Sequence, residues 1–227
     1  MVQGKNVGVV IPAAGSGTRF GGGVAKQFLE LNGESLLSRT VKQFQIHPAV
    51  DSIAIACSNE GLELTASIVR NIQATKVVWI GLGGLYRQDS VRNALQHLAT
   101  DIVLVHDAAR PFVSGEIIDR VLNGVIEFGA AIPVVPPKDT LKISTGDMLV
   151  KSTPPRETLW LAQTPQGFMS DILKRAFHYA LQNHFIGTDD ASLVEQIGVP
   201  VKLVEGDVRN FKITTPEDLL LASLLAK

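Results

Sequence analysis

Five glycines crowd into the nine residues Gly15-Ser16-Gly17-Thr18-Arg19-Phe20-Gly21-Gly22-Gly23, directly behind the apolar run Val7-Gly8-Val9-Val10-Ile11. A loop of this kind turns backbone N–H groups into one concavity and lets a bulky phosphate approach the chain closely, while Arg19 and Lys26 add full positive charges. The chemistry it suggests is polyphosphate binding. A dinucleotide fingerprint is excluded because its third glycine falls on Phe20, and a Walker loop because no Lys-Ser or Lys-Thr pair follows the last glycine. A flexible glycine turn with two solvated charges is the plainer alternative.

A carboxylate stands in a second favourable place. Asp107 lies in Val105-His106-Asp107-Ala108-Ala109-Arg110-Pro111-Phe112, where a short apolar run ends. At the carboxyl end of a parallel strand it can bind Mg²⁺ and so neutralise phosphate charge, or it can simply pair with Arg110. Arg110 can equally face a substrate phosphate. Arg156, Thr164 and Lys212 each sit beside a short extended segment, and a lysine in such a run must snorkel to solvent or meet an anion. The five histidines show no metal-ligand spacing and no serine stands in a Gly-x-Ser-x-Gly elbow, which argues against zinc hydrolases and catalytic triads. His47, His97, His178 and His184 read as structural.

Positioning these groups requires a scaffold, and the sequence suggests one. Short apolar runs at Val7 to Ile11, Ser52 to Ala56, Val77 to Ile80, Ile102 to Val105 and Ala131 to Val135 read as strands buried on both faces. Segments readable as helices separate them, with Leu37, Val41 and Phe44, and then Val91, Ala94, Leu95 and Leu98, at helical spacing. The alternation predicts an α/β fold with a doubly wound, mostly parallel sheet and a ligand site at the carboxyl ends of its strands. After Pro136-Pro137, residues 140–143 and 148–151 read as a hairpin turning through Ser144-Thr145-Gly146-Asp147. Two strands alone are marginal in water, so this insertion is expected to cover the site or reach a partner subunit. Helices follow over 170–182 and 190–197, and Thr215-Pro216-Glu217-Asp218 marks the start of a last one.

Composition limits the alternatives. The 227 residues carry 21 Lys plus Arg against 22 Asp plus Glu, a formal net charge of -1, and are 45% hydrophobic. The charge balance gives no support to a nucleic-acid surface, and the apolar content sets disorder aside. The length fits one domain over 1–227, with the β-arm at about 138–156. No apolar stretch reaches the roughly 20 residues of a membrane span, no signal-peptide pattern opens the chain, and the lone Cys57 forms no internal disulfide. The cytoplasm is the expected compartment, or the plastid stroma for a chain from a plastid-bearing source.

Taken together, Pro12-Ala13-Ala14-Gly15-Ser16-Gly17-Thr18-Arg19, Lys26-Gln27-Phe28, Gln88-Asp89-Ser90-Val91, His106-Asp107-Ala108-Ala109-Arg110-Pro111 and Thr164-Pro165-Gln166 resemble the 2-C-methyl-D-erythritol 4-phosphate cytidylyltransferase family. The order and spacing continue through Thr188-Asp189-Asp190-Ala191-Ser192 and Val204-Glu205-Gly206 to Lys212, across nearly the whole chain. The resemblance implies a homodimeric enzyme with a Rossmann-like nucleotidyltransferase fold. Such an enzyme joins CTP to methylerythritol phosphate with Mg²⁺ and releases pyrophosphate. It implies catalytic roles for Arg19, Lys26, Arg156 and Lys212, and a nucleotide pocket formed by Pro12, Ala13, Ala14, Gly15, Gly17, Lys26, Gly84, Ser90 and Ala108. It further implies that Asp107 engages the metal, and that Asp107, Arg110, Thr140, Arg156, Thr164, Thr188 and Lys212 serve the second substrate. The hairpin resembles an arm that embraces the dimer partner and brings Thr140 near the neighbour's site. Three positions depart from the family's habit: Ala25 replaces a proline, Arg209 replaces an aspartate and would add positive charge near the substrate phosphate, and Leu85-Tyr86 replaces more polar residues. The rival readings are a ribitol-5-phosphate cytidylyltransferase, against which Ala108-Ala109 between Asp107 and Arg110 argues, and a non-catalytic nucleotide-binding module.

Overall fold

The computed structural model describes residues 2–15 and 25–226. Gly17 and Arg19 of the expected phosphate loop lie outside the described residues.

The chain begins with β1 (Val7–Ala13), followed by a small hairpin of β2 (Glu30–Leu31) and β3 (Glu34–Ser35). Alternation then sets in: α1 (Leu36–Ile46), β4 (Ser52–Cys57), α2 (Leu62–Asn71), β5 (Val77–Leu82), α3 (Arg87–Leu95), β6 (Ile102–Val105), α4 (Gly115–Phe128) and β7 (Ala130–Val135). The inserted hairpin is β8 (Ile143–Ser144) and β9 (Val150–Ser152). After it come β10 (Leu161–Ala162), β11 (Gln166–Met169), α5 (Ser170–Gln182), α6 (Asp190–Gln196), β12 (Lys202–Glu205) and α7 (Pro216–Leu225).

Local chemistry explains the boundaries. The Ser35 side chain accepts from the Ser38 N–H at 3.1 Å to cap α1, and Ser114 does the same for Ile117 in α4. Helix α4 ends on Gly129 at φ 84, a left-handed conformation that suits glycine. In α7 the Thr215 hydroxyl accepts from the Asp218 N–H while the Asp218 carboxylate accepts from the Thr215 N–H, with Pro216 as the first helical residue.

In the main sheet β1 lies between β4 and β6, with β5 beyond β4, all parallel. On the other side β11 runs antiparallel between β6 and β7, β10 pairs antiparallel with β7, and β12 lies parallel along β7. Side chains alternate between two cores. Val7, Val9 and Ile11 with Ile53, Ile55, Ile102 and Leu104 meet α1 and α4 through Leu37, Val41, Phe44, Ile117 and Val121. Val10, Ala54, Ala56, Val103 and Val105 meet α3, α5 and α6 through Val91, Ala94, Leu173, Ala176 and Val194. Burial on both faces is why β1, β4, β6 and β7 read as continuous apolar runs; β5, at the end of the sheet, differs from expectation in being only partly buried, with Val78 and Leu82 exposed. The expected α/β fold, a mostly parallel sheet wound on both faces, is the observed one.

Several boundaries differ from expectation, and two of the differences bear on the site. Helix α3 spans Arg87–Leu95, starting a turn ahead of the spaced residues Val91, Ala94, Leu95 and Leu98 and ending before the last of them; the Asp89 carboxylate accepts from the Tyr86 N–H at 3.2 Å at its start. The hairpin pairs Ile143 with Ser152 and Ser144 with Val150, so Thr140 falls before its first strand. Its turn is longer than four residues because Thr145 N–H donates to the Leu149 carbonyl and Met148 takes φ 64. Among the described residues no helix is long and apolar enough to cross a membrane.

Candidate active site

The carboxyl ends of β1, β5 and β6 border a cavity of about 280 Å³. From β1 and the segment after it come Pro12, Ala13, Ala14, Gly15, Lys26 and Gln27; from the turn after β5 and the start of α3 come Gly84, Leu85, Tyr86, Arg87 and Ser90; from the loop after β6 come Asp107, Ala108 and Ala109. Lys212 completes the wall from the segment between β12 and α7. Two hydrogen bonds shape the walls. Buried Gln27 donates from Nε2 to the Ala13 carbonyl at 2.6 Å, and the Ser90 hydroxyl accepts from the Gly84 N–H at 3.0 Å. A side chain at Gly83 would strike Ala14 and Ser90, and one at Gly84 would strike Asp89, so this turn can pass between its neighbours only as glycine.

Asp107 is the electrostatic centre. Its Oδ1 accepts from Arg87 Nε at 3.1 Å, and its Oδ2 accepts from Lys212 Nζ at 2.8 Å and lies 3.6 Å from Arg110 Nε. Burial disfavours its charge, yet Arg87, Lys212 and Arg110 outweigh that and hold its pKa well below the usual carboxylate range. Arg87 also donates to buried Asp190 at 2.7 Å. Burial pulls the Arg87 pKa down, but the two carboxylates raise it above its ordinary value.

Behind Asp107 lies a polar layer. The Arg110 carbonyl can only accept, so His106 Nε2, 3.0 Å away, carries the ring proton. Nδ1 then accepts from the Thr164 hydroxyl at 3.0 Å, and that hydroxyl oxygen accepts from the Asp107 N–H at 3.1 Å. Complete burial, only partly opposed by the bond to the Arg110 carbonyl, brings the His106 pKa down to about 4. The imidazole is therefore a neutral strut.

The structure thus brings Pro12, Ala13, Ala14, Gly15, Lys26, Gly84, Ser90, Ala108, Asp107 and Lys212 to one cavity. Other expected residues lie elsewhere in the chain's own fold. Thr164 is 5% exposed and its hydroxyl is engaged by His106 and Asp107, so it supports the wall instead of lining it. Arg110 is absent from the described cavity wall but lies against it, with Nε 3.6 Å from Asp107 Oδ2 and Nη1 donating to the Asn210 carbonyl at 2.8 Å. Arg156 and Thr140 are exposed at the root of the hairpin, where Arg156 Nη1 donates to the Lys138 carbonyl at 3.0 Å. Thr188 lies ahead of α6 and is absent from the described cavity wall. Arg209 adds no charge to the cavity: its guanidinium lies on Asp207 at 2.9 Å and borders a separate groove with Arg39 and Lys42.

The sequence reading gives no site role to Gln27, Leu85, Tyr86, Ala109 or, above all, Arg87, all of which line the cavity. The signal for Arg87 was an arginine shortly behind a glycine pair at a strand end, where a helix start would aim it at the same edge as Asp107. As for metal, the described residues hold no group of three or more His, Cys, Asp or Glu side chains that could bind an ion, and Asp107 is the one carboxylate on the described cavity wall. That donor set makes no resident magnesium site. It fits as a single protein contact for an ion that brings phosphate oxygens and water as its other ligands.

A glycine-bordered cavity with lysines and one compensated carboxylate, at the carboxyl edge of a doubly wound sheet, suits a nucleotide polyphosphate. Residues 7–227 match the family model for IspD, 2-C-methyl-D-erythritol 4-phosphate cytidylyltransferase. The chain belongs to this family. Among relatives of the cytidylyltransferase, the one from Symbiobacterium thermophilum is 50% identical over 96% of this chain and 92% of its own length. Among solved structures, the cytidylyltransferase of Thermus thermophilus is 38% identical with a TM-score of 0.79, covering 97% of this chain and 98% of that one. The 4-diphosphocytidyl-2C-methyl-D-erythritol synthase of Anaerococcus prevotii is 30% identical with a TM-score of 0.87, covering 99% of both chains.

Proposed function

We propose that this chain joins CTP to 2-C-methyl-D-erythritol 4-phosphate, giving 4-diphosphocytidyl-2-C-methyl-D-erythritol and pyrophosphate. The observation that carries the proposal is the convergence of Lys26, Arg87 and Lys212 with Asp107 on the one cavity at the carboxyl ends of β1, β5 and β6.

In this reaction a phosphate oxygen of the second substrate attacks the α-phosphorus of CTP, and the bond to the β-phosphate breaks as pyrophosphate leaves. The nucleophile comes with the substrate, so the protein acts by alignment and by stabilising charge. Lys26, together with Arg19, takes the charge that grows on the α-phosphate and the leaving pyrophosphate. Ala13, Ala14, Gly15, Gly17, Gly84, Ser90 and Ala108 shape the nucleotide pocket, and Lys212 holds the methylerythritol phosphate in line. Mg²⁺, held by Asp107 and the triphosphate oxygens, would neutralise polyphosphate charge. The ion pairs of Asp107 to Arg87 and Lys212 keep it ionised for that contact. Arg156, Thr140 and Thr188 lie off the cavity of their own chain, and we assign Arg156 and Thr140 to the site of a second copy in a homodimer. The cytoplasm is the compartment we assign.

Pyrophosphate release from CTP and Mg²⁺ tests the proposal, with methylerythritol 4-phosphate in one assay and ribitol 5-phosphate in another. Release with the first substrate alone is expected. Release with ribitol 5-phosphate alone would transfer the same chemistry to another polyol phosphate, and silence in both would leave a nucleotide-binding protein.

A further inference from the structure

Lys212 reaches Asp107 from residues 206–214, a segment with neither helix nor strand between β12 and α7. A long side chain on such a segment holds one position only if the backbone beneath it is fixed, because ordering it costs conformational entropy. Asn210 supplies the fixation. It is fully buried, and its Nδ2 donates to the Thr164 carbonyl at 2.8 Å while its own carbonyl accepts from Arg110 Nη1 at 2.8 Å. Its N–H donates to the Asp207 carbonyl at 2.9 Å, closing a turn. Gln163 braces that turn from the side, donating from Nε2 to the Asp207 carbonyl at 2.8 Å and accepting the Asp207 N–H at 3.2 Å. Beyond Lys212, the Ile213 N–H donates to the Ala109 carbonyl at 2.9 Å. Lys212 is therefore suspended between two anchored points, both tied to the segment after β6 that carries Asp107 and one of them, Asn210, to Thr164 as well.

We infer that Asn210 is a positioning residue that sets the Lys212 ammonium against Asp107 and so into the transfer step. Asn210 is absent from the described cavity wall, so its effect passes through Lys212. The inference rests on the proposed cytidylyl transfer. A merely structural asparagine would lower stability and leave the work of Lys212 intact, whereas a positioning one shares its effect with Lys212, and that sharing is measurable.

The experiment is a double-mutant cycle read by pyrophosphate release, with the thermal midpoint of each protein measured in parallel. Asn210→Ala is expected to lower kcat/KM for methylerythritol phosphate on the order of tenfold to a hundredfold, with KM for CTP nearly unchanged. Lys212→Ala is expected to lose about a hundredfold or more, and the double variant to be within about threefold of Lys212→Ala alone. Losses that multiply in the double variant would overturn the inference while leaving the proposed function standing. An inactive wild type would overturn both. Should Asn210→Ala not fold, Gln163→Glu removes the donor to the Asp207 carbonyl at nearly constant volume and enters the same cycle. Its loss is also expected to vanish in the Lys212→Ala background, and a loss that persists there would overturn the inference.

Discussion

His106 and Asp107 are neighbours with opposite demands on their surroundings, and their titrations separate cleanly. The His106 pKa falls from 6.5 to about 4 on folding. Between those values the unfolded chain binds a proton that the folded chain refuses, so stability is full above about pH 6.5 and is lost as pH falls toward 4. The loss is on the order of 3 kcal/mol. Asp107, held below its ordinary 3.8, contributes stability that is present above that value and lost only below it. A thermal midpoint recorded from pH 7 to pH 4 should therefore decline in wild type and decline much less in His106→Gln; equal slopes would remove His106 from the effect. The sequence exposed Asp107 through its type and its place at the end of β6, whereas Lys212 stood out only through the family resemblance. It hid the polar layer of His106, Thr164, Arg110 and Asn210, since hydrogen bonds among residues about 50 to 100 positions apart leave no local pattern. Nothing local in the sequence showed that Thr164 and Arg110, expected to serve the second substrate, also brace the residues behind Asp107.

Strands β1, β4, β6 and β7 were legible because burial on two faces writes an uninterrupted apolar run, and β6 matches its expected bounds residue for residue. Helix starts were harder, since a cap such as that at Tyr86 depends on one carboxylate three residues on. Strands β10, β11 and β12 pair with β6 and β7 across long separations and are too short to show a period of their own. One departure from the family's habit becomes testable here. Ala25 takes φ -63, ψ 134 immediately before the short 3-10 turn Lys26–Phe28. That φ is the one a proline ring imposes. Ala25→Pro is thus expected to stabilise the protein by about 0.4–1 kcal/mol, mainly by restricting the unfolded chain, and to pre-order the approach to Lys26. Unfolding in urea, with an increase in the midpoint at constant slope, is the measurement; a drop would show that the ring clashes with what precedes it.

Among the described residues, the hairpin's strands β8 and β9 pair only with each other. Met148 is 85% exposed, with Leu149 and Val150 at 64%, and Trp160 and Leu161 extend the apolar surface near its root. A two-stranded ribbon presenting such residues to water is marginal by itself, which supports the proposed homodimer. Replacing residues 141–151 by a short Gly-Ser linker is expected to convert a dimer to a monomer in sedimentation velocity. It should also cut turnover on the order of a hundredfold, because Arg156 and Thr140 would no longer reach a second cavity. A dimer of undiminished activity would contradict this assignment.

The antiparallel strand β11 lies between β6 and β7 but follows them in the chain, with Gln166 paired to Val105 and Gly167 to Ala131. A ribosome therefore delivers both walls of that slot before it delivers the strand that fills it. Until about residue 169 has emerged, the nascent chain carries two unpaired strand edges, each a template for pairing with another chain. Asp107 waits too, because the hydroxyl that accepts its backbone N–H belongs to Thr164, just ahead of the missing strand. Filling of that slot and support of Asp107 from beneath are consequently one event, and β12 and Lys212 follow it to add the sheet's remaining strand and the cavity's remaining wall.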